Sequence, residues 1–404
     1  TRLPLWGGWP EPCPVPEPLG PEALNRSRWA TRLQFAVLGV LIGTWGAHIP
    51  SLKAHHTLTE GSLSAVLLVA ALGAVSSLFT AGRVIGRLGA RRTAAVAAAL
   101  GGGLLGVLLE LRGLPALLLG AWVLGACMSL YDVALNTEGA ALERLGGRPF
   151  MSHLHGMFSV GGMLGAGAVA ALLAAGVAPR VQFWVLGLGV ALVAWWAARG
   201  MLKEEGRAPA GLPQASGQAH FAWPRGQLLV IGLLVLAGMT AEGAMYDWCV
   251  LYLHQELAQP QAQAALGYAV FSAAMAASRF AGDALRARVD ERALLRCGAG
   301  LAAAAMAVVL LSAHPVVAWV GFALVGAGLA PVAPILFSAA TRVPGVSPAA
   351  AIASVTSVGY SGFMLGPPLI GALATASSLT WALGVVVVAS AWLAVGAGQV
   401  APKV

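Results

Sequence analysis

The chain has 404 residues, of which 58% are hydrophobic and only 10% charged, with a mean hydropathy of +0.79 and a net charge of +8. A soluble domain carries about 25% charged residues, so these charges cannot cover a water-facing surface and a soluble enzyme is excluded. The positive balance does not point to nucleic acid, because the basic residues sit in short segments between apolar runs, where they read as membrane topology.

Residues 1–25 stand apart, with prolines at 4, 10, 12, 14, 16, 18 and 21. Proline removes a backbone donor and blocks helix interiors, so this stretch reads as a disordered tail. It lacks the basic-then-apolar order of a signal peptide. From residue 32 the chain becomes a succession of apolar runs of about 20 residues, the length that crosses about 30 Å of hydrocarbon. The runs predict helices at roughly 32–52, 61–84, 93–111, 115–140, 152–176 and 180–199 in a first set. A second set falls at roughly 227–253, 263–285, 292–312, 315–340, 348–375 and 379–398. A polar connection with Pro209, Pro213 and Pro224 divides them six and six. The expected organisation is a tail (1–25), a first bundle (26–200), a central cytoplasmic loop (201–226) and a second bundle (227–404).

With the termini and the even-numbered connections on one side, that side receives 21 of the 24 Lys/Arg. The other receives Lys53, Arg112 and Arg180. Cytoplasmic segments carry the excess of Lys/Arg. The expectation is a multi-pass protein of the cytoplasmic membrane with both termini cytoplasmic. The halves also echo each other. The basic segment 82–92 has a counterpart at 282–292, and Met163-Leu164-Gly165 recurs as Met364-Leu365-Gly366. Two parallel six-helix repeats form a transporter arrangement, with substrate held near the midplane between them.

Ionisable groups inside a span are costly and mark function by default. Asp132 lies in the fourth predicted helix with Asn136 one turn on, and Glu242, Tyr246 and Asp247 lie in the seventh. His48 falls in the first helix near Trp45, His155 and Ser159 in the fifth, and Tyr360 in a polar stretch of the eleventh. Helices 1, 4, 5, 7 and 11 are therefore expected to line a central cavity. A carboxyl in low dielectric can bind and release a proton near neutral pH. Glu242 and Asp132 are the proton-coupling candidates; Asn136, His48, Trp45, His155, Ser159, Tyr246, Asp247 and Tyr360 are the substrate-cavity candidates. Each has a plainer structural reading, as a packing or hydrogen-bonding group. Pro331, Pro334, Pro367 and Pro368 interrupt the tenth and eleventh helices, as hinges or as static bends.

These features together resemble the major facilitator superfamily. The resemblance rests on the six-plus-six layout, the central connection and the basic segments 82–92 and 282–292. That family's loop after its second helix reads approximately G-x-x-x-D-R-x-G-R-R. Gly82, Arg87, Gly89, Arg91 and Arg92 fit it, while Gly86 stands where the acid is expected. The second-half segment keeps Gly282 and Asp283, preceded by Arg279. Residues 131–162 and 241–253 are similar to a mostly uncharacterised bacterial branch near the fucose permeases. The resemblance implies an all-α fold of two pseudo-symmetric six-helix bundles, gating by those loop residues, a cavity lined by helices 1, 4, 7 and 10, and alternating access. Helix 10 here is nearly all apolar. The helix-5 antiporter pattern G-x-x-x-G-P has Ala166 in place of proline.

The expected function is secondary active transport of a small solute, coupled to protons. The alternatives are a drug or metabolite exporter of the same fold, a transport-inactive receptor, and a membrane-embedded enzyme. The sequence has no phosphate-binding loop, no H-E-x-x-H and no metal-ligand spacing. No metal and no cofactor beyond the proton gradient is expected. The expected partners are a small-molecule substrate and membrane lipid, with no nucleic acid, and the expected state is a monomer.

Overall fold

The computed structural model describes residues 20–147, 150–203 and 224–400, the side chains of Asp283, Pro348 and Ala349 excepted. The first half contains α1 (Pro21–Ala47), α2 (Ile49–His55), α3 (Glu60–Val107), α4 (Leu114–Gly146), α5 (Met151–Ala174) and α6 (Pro179–Ala198). The second contains α7 (Gly226–Gln255), α8 (Gln261–Arg288), α9 (Glu291–Ser312), α10 (Pro315–Leu329), α11 (Val332–Thr341), α12 (Pro348–Ala376), α13 (Leu379–Ala382) and α14 (Gly384–Gly396). No strand occurs among the described residues.

Nine of these helices are long and apolar enough to cross a membrane, or ten when the α1–α2 pair, bent by 46° at His48, is one span. One of the nine is the 51-residue segment Glu60–Glu110. At 1.5 Å per residue it would be roughly 76 Å long, far beyond a single crossing. It folds back at Gly89, whose φ of 77° and ψ of 158° leave helical space. That region of backbone space is essentially reserved for glycine. The reversal shows at the far ends: Lys53 pairs with Glu60 at the start of α3, while His56 Nε2 donates to the Leu108 carbonyl at 3.0 Å just beyond its end. Counting α3 as two rods and adding α12 gives twelve rods among the described residues.

Several expectations need correction. Residues 21–25 are helix, not tail: Pro21 occupies the first helical turn, where its missing N–H has no partner to lose. Residues 1–19 of the expected tail and 204–223 of the expected central loop lie outside the described residues. The expected basic loop 82–92 shrinks to a sharp turn at Gly89 between the two rods of α3. Its second-half counterpart is two residues long, with Asp290 capping α9 through the Arg292 and Ala293 amides at 3.0 and 3.2 Å. The tenth predicted helix is α10 and α11, separated at Ala330 and Pro331. Pro367 and Pro368 lie inside the continuous α12.

The halves pack alike. In the first, α1 packs on α5 and α6, and α3 on α4 and α6; in the second, α7 packs on α12 and α14, α8 on α10, and α9 on α14. Between halves, α5 packs on α8 and α3 on α12, pairs that a pseudo-two-fold exchanges. Glycines let the backbones approach. A Cβ on Gly161 of α5 would come within 1.9 Å of the Ala36 carbonyl oxygen of α1, which accounts for small residues at this seam. All rods carry their Arg/Lys-rich joints at one end, called here the basic end, and α2 lies at the other. At the α2 end the halves meet directly. Gln261 Nε2 donates to Ser51 Oγ at 2.5 Å, Gly46 abuts Tyr268, and Gly371 abuts Ser64.

Candidate functional site

An ion pair lies between the halves, inside the apolar layer. Arg279 is nine residues from the basic end of α8, roughly 13 Å along the axis. Its Nη2 donates to Glu242 Oε1 of α7 at 3.0 Å. Its Nη1 reaches across to α5, donating to Ser159 Oγ at 2.7 Å and towards the His155 carbonyl at 3.4 Å. The Tyr246 hydroxyl adds a second donor to the same Glu242 oxygen at 2.9 Å, one turn further along α7. One guanidinium therefore ties helices of both halves. The pair's side chains keep only 14% and 17% of their surface exposed, so the attraction acts in a low dielectric and leaving either charge alone would be costly.

Aromatic rings wall this network. Tyr246 stacks against Tyr268 and Phe271 of α8, both at centroid distances of 5.5 Å. Asp247 lies within electrostatic reach of Tyr268. His155 sets its ring edge-on to Phe35 of α1 at 5.6 Å and lies within electrostatic reach of Arg279. A second polar group sits on α4, where Asn136 Nδ2 donates to Asp132 Oδ1 at 3.0 Å and to the Asp132 carbonyl at 2.9 Å. Tyr360 of α12 lies within electrostatic reach of Asp132. Asp132, Asn136, Glu242, Tyr246, Asp247 and Tyr360 are all only partly buried.

The predicted site residues thus divide. Glu242, Tyr246, His155 and Ser159 come together around Arg279. Asp247 is not among its partners and stands near Tyr268. Asp132 and Asn136, with Tyr360 within electrostatic reach, form the second group. His48 joins neither. It is sealed at the α1–α2 bend, with its ring on Phe183 of α6 at 4.5 Å and its Nδ1 3.1 Å from Ser51 Oγ. Trp45 is buried beside it. Arg279, expected to be a gating-loop residue, is instead the centre of the interior network. Gly82 and Arg87 are exposed on the first rod of α3, Arg91 and Arg92 open its second rod, and Gly282 lies in α8. The Asp283 side chain lies outside the described residues.

Sequence reasoning missed α8 as a polar helix. Tyr268, Ser272, Met275 and Arg279 recur at helical spacing (i, i+4, i+7, i+11) and present one stripe. The buried Tyr268, Ser272 and Met275 face α5 and α7, with Met275 Sδ 3.6 Å from the Tyr246 hydroxyl. That periodicity was available in the sequence.

Beside these twelve rods and their pseudo-two-fold, the sequence profile of the Major Facilitator Superfamily matches residues 33–361. The chain belongs to that superfamily. It is 33% identical to an uncharacterized MFS-type transporter of Yersinia pestis, over 88% of this chain and 91% of that one. Its fold is similar to that of a D-xylose-proton symporter, with a TM-score of 0.74 at 14% identity over 92% of this chain and 97% of the other. It is also similar to FucP in its outward conformation, with a TM-score of 0.64 at 14% identity over 94% and 100% of the two chains. The protein is an all-α, multi-pass integral membrane protein of the major facilitator fold.

Proposed function

We propose that this protein is a proton-coupled carrier of a small polar or amphipathic solute, working by alternating access between the two six-helix halves. The observation that carries this reading is Arg279, which holds Glu242 of its own half and Ser159 of the other at once. A proton arriving on Glu242 cancels the charge that fixes Arg279. The guanidinium is then free to change partners, and the contact between α5 and α8 loosens. Proton occupancy and the arrangement of the halves are thereby linked through one side chain, which is the property coupling requires. Asp132 with Asn136 supplies a second site, on α4, for a proton or for substrate hydroxyl and amide groups. Tyr246, Asp247, His155 and Tyr360 complete the polar lining.

In this reading the basic end is cytoplasmic, both termini lie there, and the host membrane is the cytoplasmic membrane. The Lys/Arg distribution supports that orientation. The carrier acts as a monomer, needs no metal or organic cofactor, and draws on the proton gradient. The solute symporter similar in fold at 14% identity is compatible with this class of function and does not name a substrate.

The test is counterflow in proteoliposomes with a panel of sugars, amino acids, nucleosides and cationic drugs, with and without an imposed pH gradient. Gradient-dependent accumulation of one solute supports a coupled carrier. Binding of a solute with no flux under either condition overturns it in favour of a receptor.

A further inference from the structure

At the basic end, the second rod of α3 and the last turn of α6 enclose a cleft of about 680 Å³ lined by Arg91, Arg92, Arg199 and Lys203 together with Leu88, Ala95, Val96, Trp195 and Ala198. The lining is ordered by depth. On α3, Arg91 and Arg92 precede Ala95 and Val96 by one turn, so the cations stand at the mouth and the small apolar residues lie roughly 6 Å deeper. On α6 the order runs the other way along the chain and gives the same result, with Trp195 deep and Arg199 and Lys203 at the mouth. Trp195 is 55% exposed and Val96 44%. The floor of the cleft is therefore open apolar surface at the level of the hydrocarbon.

We propose that this cleft binds an anionic phospholipid, with the phosphate held by Arg91, Arg199 and Lys203 and an acyl chain lying along Val96 and Trp195. Guanidinium groups match phosphate oxygens in a bidentate fork. Basic pockets between membrane helices suit anionic headgroups. A free phosphate ion would use the mouth but not the apolar floor, and an acyl chain uses both.

The pseudo-symmetric position in the second half is built differently. Two hundred residues on from Arg91 stands Glu291, which accepts from Arg286 at 2.5 Å and from Arg342 at 2.8 Å. Arg292 there donates to the Val400 carbonyl. An acid thus stands where Arg91 stands in the first half, already paired within the protein, so this position does not repeat the cluster of cations.

The experiment is native mass spectrometry of the delipidated protein titrated with phosphatidylglycerol and phosphatidylcholine in parallel. Phosphatidylglycerol should be retained in preference. Each cation near a membrane surface contributes about a fivefold preference, so R91A/R199A should lower it by about 25-fold. R91K/R199K should keep most of it, which separates loss of charge from loss of fold. R288A/R296A, which removes two cations from the same end but outside the cleft, should leave it within about twofold. Equal retention of both lipids, or equal loss in R91A/R199A and R288A/R296A, would overturn the proposal. Displacement of the lipid by inorganic phosphate alone would overturn it in favour of a soluble anion site.

Discussion

Arg279 Nη2 lies 3.0 Å from Glu242 Oε1, on neighbouring helices of one half, while its Nη1 lies 2.7 Å from Ser159 Oγ of the other half. Removing Arg279 leaves a carboxylate unpaired in low dielectric, a loss of about 3–5 kcal/mol. Arg279→Ala should therefore lower thermal stability in detergent sharply. The double variant Arg279→Ala/Glu242→Gln should recover a large part of the loss, because it removes the stranded charge as well. Additive losses in the double variant would show that the two side chains do not interact in the folded protein.

The seam between α1 and α5 has no room for a side chain at Gly161, where an added Cβ would meet the Ala36 carbonyl oxygen at 1.9 Å. Gly161→Ala should cost about 1–3 kcal/mol through overpacking, read as a lower melting temperature. An unchanged melting temperature would mean that the helices are further apart than described. Gly167 on the same helix has nothing within 4 Å, so Gly167→Ala is the neutral control.

Across the α2 end the halves are joined by Gln261 Nε2 and Ser51 Oγ at 2.5 Å. A neutral hydrogen bond contributes about 1 kcal/mol net, roughly a fivefold change in an equilibrium. Gln261→Ala should shift the protein by about that factor towards states separated at this end. Spin-label distances between α2 and the start of α8 report it: a larger population at long distance is expected, and an unaltered distribution would remove this contact from the gate.

His56 follows α2 in the turn before α3. Burial, the largest influence, holds its imidazole below the ordinary histidine range of about 6.5, with the Leu108 carbonyl opposing that effect and neighbouring His55 adding to it. The folded state thus binds fewer protons at this site than the unfolded one. The contribution is complete above the unfolded pKa and is lost as pH falls from there towards the folded value. Hydrogen-exchange protection of the 56–60 turn should therefore decline as pH is lowered from about 7.5 to 5.5. The decline should disappear in His56→Gln, and a decline of equal size in that variant would assign it to another group.

Much of the fold was legible because hydrocarbon imposes a simple code: long apolar runs, basic joints, and proline or glycine at breaks. Most helix starts fell within a few residues of the observed ones. Pro21 was misread, since proline opens a helix as readily as it ends one. The 82–92 segment was misread because arginines suggest a loop, whereas Gly89 alone turns the chain. At the site, Glu242, Tyr246 and Ser159 could be picked from their own helices by polarity. Arg279 could not be placed by the same rule. An arginine within two turns and a half of a basic joint looks like one more topological charge, and its place on the Tyr268–Ser272–Met275 stripe is the one sequence signal that it points inward. The pseudo-symmetric residue in the first half is Phe79, so the repeat gave no second copy of the signal. His48 shows the opposite failure, a polar residue in a span whose surroundings are packing.

The measurement that bears most directly on coupling is solute accumulation in proteoliposomes under an imposed pH gradient, compared between the native protein and Glu242→Gln. If the carboxylate opposite Arg279 carries the coupling proton, the variant loses gradient-driven accumulation while retaining exchange of solute at equal pH. Gradient-driven accumulation that persists undiminished in Glu242→Gln would contradict the role assigned to the Arg279–Glu242 pair.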